Sequence, residues 1–158
     1  MFITKNKKFA VNHSPNIVGL LLYEYNDNLE RFTHLADMTV DWILSHAPTR
    51  HLGNKLAIEG YAFGAKGQVF NIGENTGILK LKLAEKVSNV IDVISPSTIK
   101  KFATGKGNAN KVLMYEAFIE ETGDDLAKLF EFDPYTGQSP VSDIIDSYYI
   151  AKYRDINS

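Results

Sequence analysis

The stretch Leu56-Ala57-Ile58-Glu59-Gly60-Tyr61-Ala62-Phe63 decides how the rest of the chain is read. Leu56, Ala57 and Ile58 are apolar, and Gly60 and two aromatics follow the glutamate. This predicts a buried strand that carries one carboxylate to its end and then stops. A carboxylate delivered there is costly to bury alone, so it needs a cation, a proton or a partner.

The flanking segments predict a mixed α/β order. Residues 8–12, 17–25 and 31–38 read as an antiparallel meander of three strands, joined by the turns His13-Ser14-Pro15-Asn16 and Asn26-Asp27-Asn28. Thr39 or Asp41 caps a helix to about His46, with Val40, Ile43, Leu44 and Ala47 at helical spacing and Pro48 beyond it. Trp42 is assigned to the core. After the opening strand comes a helix over 68–86, interrupted by Gly73 and Gly77, where a second backbone can approach closely. A strand over 90–95 stops at Pro96, and Ser97 caps a short helix over 97–102. A glycine-rich loop at 103–108 leads to an amphipathic helix over 109–122, which ends at Gly123. Residues 124–139 form a loop with room for one helical turn, and a last helix covers 140–153.

The totals bound the function. At 158 residues the chain fits one domain with a substantial core. It has no cysteine, so a metal must be held by oxygen or imidazole. The longest apolar run, residues 17–23, is far too short to span a bilayer, and the basic N-terminus lacks a signal-type core. A cytoplasmic protein without membrane contact is expected. The net charge of -2 argues against a generic nucleic-acid binder, but it hides an asymmetry. Residues 80–111 hold seven lysines against Glu85 and Asp92, and residues 112–146 hold nine acidic residues against Lys128. Two solvated faces of opposite sign explain this simply. A basic surface beside clustered carboxylates also suits a metal-dependent enzyme acting on a phosphodiester.

Three constellations can carry chemistry. The first is Glu59 at a strand end with Asp143 and Asp146, which open the last helix on one face. First-turn acids are ordinary in helices, yet three such carboxylates also suit a hard cation such as magnesium. The second is the run from Ser95 to Lys111, in which Gly105 and Gly107 free the backbone beside Lys100, Lys106 and Lys111. It lacks the ending of a nucleotide-binding P-loop and reads as a polyanion contact. The third is Tyr61 and Phe63, which either fill the core or stack on an unpaired base. The four histidines show no metal-ligand spacing, and only His13 is placed near the carboxylates.

With these residues in view, the chain resembles the RuvC family of Holliday-junction resolvases over about residues 8–153, most of all its divergent phage-type members. The specific pieces are Ile99-Lys100 with Gly105-Lys106-Gly107-Asn108-Ala109-Asn110-Lys111, the strand Ala57-Ile58-Glu59, and the pair Asp143 and Asp146. Phe9 to Gly19 is similar to the family's first strand and turn, but Asn12 stands where the family has a metal-binding aspartate. The amide keeps the shape and a carbonyl oxygen but loses the charge, which should weaken metal binding and generation of the nucleophile. Either the amide is natural and the protein binds junctions with little cleavage, or the sequence is an engineered inactive variant.

The resemblance implies a ribonuclease-H-like fold over a single domain, 1–158. That fold is α/β, with a mixed five-stranded sheet, three strands antiparallel and then two parallel, flanked by helices. It implies an endonuclease that cuts four-way and related branched DNA with two magnesium ions per site, manganese being a possible substitute. Asn12, Glu59, Asp143 and Asp146 are the expected ligands; Tyr61, Phe63, Lys100, Lys106 and Lys111 are the expected DNA contacts. A homodimer is expected, with the helix from Phe70 to Leu83 as its interface. The alternatives are a debranching nuclease of the same fold, a non-catalytic junction-binding protein, and a nucleotide-binding α/β domain unrelated to DNA.

Overall fold

The computed structural model describes residues 25–46, 56–61, 69–132 and 134–157. The chain divides into two compact units, with the described residues up to Val93 in the first and those from Ile94 in the second.

The first unit begins with helix α1, Asn28–His46. Its start is set locally: the Asp27 carboxylate accepts the Glu30 backbone N–H at 2.8 Å, and the Glu30 carboxylate accepts the Asn26 N–H at 2.8 Å. This reciprocal arrangement satisfies donors that the first turn leaves open. Strand β1, Leu56–Glu59, and strand β2, Ile91–Ile94, pair in parallel, and helix α2, Val69–Lys86, connects them in sequence. A parallel pair requires such a crossover. Phe32, Leu35, Ala36 and Val40 of α1 and Leu83 of α2 are buried, and α1 packs along α2. Lys82 bridges the two helices by donating to both oxygens of Asp37, at 2.8 and 2.9 Å.

The second unit holds α3 (Pro96–Thr104), α4 (Lys111–Thr122), the single turn α5 (Leu126–Leu129) and α6 (Val141–Ile156). α3, α4 and α6 pack on one another around Ile99, Met114, Phe118, Val141, Ile145 and Tyr149. Their ends follow short-range chemistry. Ser95 caps α3 by accepting the Thr98 N–H, and Pro96 takes the first helical position, where its missing N–H costs nothing. Asn110 caps α4 by accepting the Leu113 N–H at 2.9 Å. Gly105 and Gly123 end α3 and α4 at φ 76° and 77°, where a side chain would be strained. The cap of α3 is therefore Ser95 and not Ser97.

The expected mixed five-stranded sheet does not stand. Among the described residues, 67% are helical and one sheet of two parallel strands is present. Residues 31–38, expected as the third strand of a meander, lie inside α1. Phe32, Leu35, Ala36 and Val40 recur at i, i+3, i+4 and i+8, so a helix buries all four on one face, and an alternating strand cannot. The expected strand over 8–12, and that over 17–25 apart from Tyr25, lie outside the described residues. Trp42, expected in the core, is 40% exposed and stacks on His46 at 4.7 Å. No helix among the described residues is long and apolar enough to cross a membrane.

Candidate functional site

The chemistry gathers in the second unit. Asp143 and Asp146 lie one turn apart near the start of α6, where the helix dipole favours negative charge. Asp143 is exposed and accepts hydrogen bonds from the Ser139 and Ser142 hydroxyls, the second at 3.1 Å. The Asp146 side chain is only 18% exposed, and Lys111 Nζ donates to its Oδ2 in an ion pair. Lys111 is the first residue of α4, so the Asn110 cap and the α6 register jointly place these two charges together.

A third segment approaches the lysine closely. Gly137, at φ 93°, lies against its stem: a Cβ added there would sit 3.1 Å from Lys111 Cβ. The left-handed backbone strains any side chain there, and a Cβ would also require Lys111 to give way slightly. Tyr135, two residues earlier, is 9% exposed and packs against Tyr115 of α4, ring centres 4.4 Å apart and planes tilted by 43°. Among the described residues its hydroxyl makes no hydrogen bond. Burial raises the pKa of that phenol, the nearby Ser142 hydroxyl partly opposes the rise, and the charges of Asp146 and Asp143 add to it. The Tyr115 hydroxyl donates to Asp125 at 2.5 Å, and together with Lys128 it holds the Asp125 carboxyl down to about 2. This pins the connection after α4 to α4 itself.

Lys100 lies on α3, and Lys106 stands exposed between Gly105 and Gly107. The two glycines have structural duties. Gly105 ends α3, and a Cβ on Gly107 would meet the Ser97 carbonyl oxygen at 3.3 Å. The loop is thus folded back on α3, with Lys106 N–H bound to the Thr104 hydroxyl at 3.2 Å.

The remaining expected residues lie in the first unit or outside the described residues. Glu59 ends β1 in the first unit and is exposed, and Leu56, Ala57 and Ile58 are half-buried, so the strand is not the buried one expected and its carboxylate meets solvent. Tyr61 is 45% exposed, with its hydroxyl 3.5 Å from the Gly73 carbonyl and Lys80 Nζ 5.8 Å from its ring centre. Asn12, His13 and Phe63 lie outside the described residues. Among the described residues no three histidine, aspartate or glutamate side chains gather closely enough to cage a metal. The pair Asp143 and Asp146 still fits a magnesium-type ion, which is commonly held by one or two carboxylates, waters and substrate phosphate. The sequence reading missed Tyr135 and Gly137. A turn glycine in an aromatic loop is a visible signal, but the lysine it meets lies 26 residues earlier (137 − 111).

No family model matches the sequence, and no curated protein matches it significantly. Among solved structures the chain is similar to RuvC of Thermus thermophilus, with a TM-score of 0.55. The fold is RuvC-like. The similarity covers 94% of this chain and 86% of that one at 13% identity, so it speaks to the fold alone.

Proposed function

We infer that residues 1–158 act as one RuvC-like endonuclease domain on four-way and related branched DNA. The observation that carries this is the contact between Lys111, at the end of the lysine-glycine loop, and Asp146 of the α6 carboxylate pair, on a RuvC-like fold. Asp143 and Asp146 would hold magnesium or manganese, and Asn12 and Glu59 are the further oxygen ligands expected from the sequence. When bound, two such ions activate water and neutralise charge on the phosphodiester. Lys100, Lys106 and Lys111 contact phosphates, and Tyr61 or Phe63 stacks at the branch point. The protein works in the cytoplasm.

The proposed homodimer pairs through α2. Phe70 is 83% exposed and Leu81 59%, and among the described residues nothing outside the local helix lies within 4 Å of a Cβ built on Gly73 or Gly77 between them. These positions fall on one helix face, and large exposed apolar groups beside small ones suit a self-complementary contact.

Asn12 favours a second reading, a junction-binding protein that does not cut. Comparing the chain with Asn12→Asp on a labelled four-way junction, with and without magnesium, separates the two. Both forms should bind, and only the aspartate form should nick; Glu59→Gln in that background should abolish nicking and keep binding. If Asn12→Asp binds junctions but cuts under no divalent metal, the nuclease reading fails. Cleavage of flaps and Y-junctions as fast as four-way junctions would instead mark a general debranching nuclease.

A further inference from the structure

Asp146 and Lys111 each have two claims on them. A carboxylate only 18% exposed requires a positive partner, and in this structure that partner is Lys111. A metal at the α6 pair needs the same carboxylate. Lys111 is in turn expected to reach phosphate, and its charge is already engaged while its ammonium sits on Asp146. Its stem passes close to Gly137, but its side chain is 42% exposed, so the ammonium can swing outward without unfolding α4.

Resting on the metal reading above, we propose that Lys111 is an internal counter-ion for Asp146, displaced when metal binds and thereby released to contact DNA phosphate. Metal entry and phosphate contact are then two halves of one exchange. The lysine keeps the empty site electrically balanced, lowers its affinity for metal, and makes metal and DNA favour each other's binding through a shared element.

The test uses the free protein without DNA. Mn2+ binding is followed by electron paramagnetic resonance for the chain as given and for Lys111→Met, which keeps the stem against Gly137 and removes the charge. Lys111→Met should bind Mn2+ about twofold to fivefold more tightly, the scale of a part-exposed ion pair. Lys111→Arg should restore the original affinity. Lys101→Met, an equal charge loss at an exposed site on the same unit, should leave it unchanged. In the unmutated protein, acylation of Lys111 read by mass spectrometry should quicken several-fold as Mn2+ is added, and that of Lys101 should not. Equal or weaker Mn2+ binding by Lys111→Met, equal tightening by Lys101→Met, or unchanged Lys111 acylation overturns the exchange. Absence of measurable Mn2+ binding in both the chain as given and Lys111→Met also overturns it. An Asp146→Asn protein that binds Mn2+ as well as the chain as given overturns the metal site itself, and the exchange with it.

Discussion

The two units solve burial differently. In the second, α3, α4 and α6 close on a core in which Met114, Ile145 and Tyr149 are each 1% exposed and Val141 is fully covered. Polar groups there are turned toward one another at the edge of that core, as Lys111 is toward Asp146 and Tyr115 toward Asp125. In the first, α1 and α2 bury Phe32, Leu35, Val40 and Leu83 between them, yet α2 leaves Phe70, Ile72 and Leu81 outside. A helix apolar on more than one side needs more than one partner. The second unit is thus built to position charges, and the first retains apolar surface suited to association.

The contrast can be broken by mutation, beginning with the largest expected effect. Ile145→Ala should cost about 2–5 kcal/mol, because a 1% exposed side chain leaves a cavity in a closed core. Urea unfolding measures it, and a loss under about 1 kcal/mol would show that the second unit is loosely packed. Lys82→Met should cost about 0.5–1 kcal/mol at neutral pH, since the pair it makes with Asp37 is part-exposed. The hydrogen bond from Lys82, with help from Lys86, lowers the Asp37 pKa below 3.8. A depressed folded pKa means stability that is present above 3.8 and lost as pH falls through the folded value. The difference between Lys82→Met and its parent should therefore vanish in acid; a difference that persists there would have to come from packing of the lysine stem. Phe70→Glu should change the stability of the monomer by less than about 0.5 kcal/mol, because the ring is 83% exposed. Sedimentation should nonetheless shift from dimer to monomer. A chain that sediments as a monomer before mutation removes the α2 contact from the proposal.

Legibility in the sequence followed the range of the interaction that decided each feature. The strand ending at Glu59, the crossover helix and the strand after it stand where local patterning put them, because an apolar run closed by glycine or proline is a short-range signal. The ends of α3 and α4 depend on residues within four positions of one another, although the cap of α3 proved to be Ser95. Residues 31–38 misled because Phe32, His34 and Ala36 satisfy an alternating pattern over a short window, and only the extension to Val40 with the Asp27–Glu30 cap reveals the helix. Trp42 misled because apolar character does not say which side of a helix faces the core.

The sequence alone determined the residue types of the candidate site, two acids one turn apart on a closing helix and a lysine that opens another, since helical spacing and capping fix these locally. Only the tertiary structure decided that Lys111 meets Asp146, 35 residues away (146 − 111), and that Gly137 lies close to its stem. Those contacts depend on how α4, α6 and the connection between them pack, and no local pattern in the chain encodes that register.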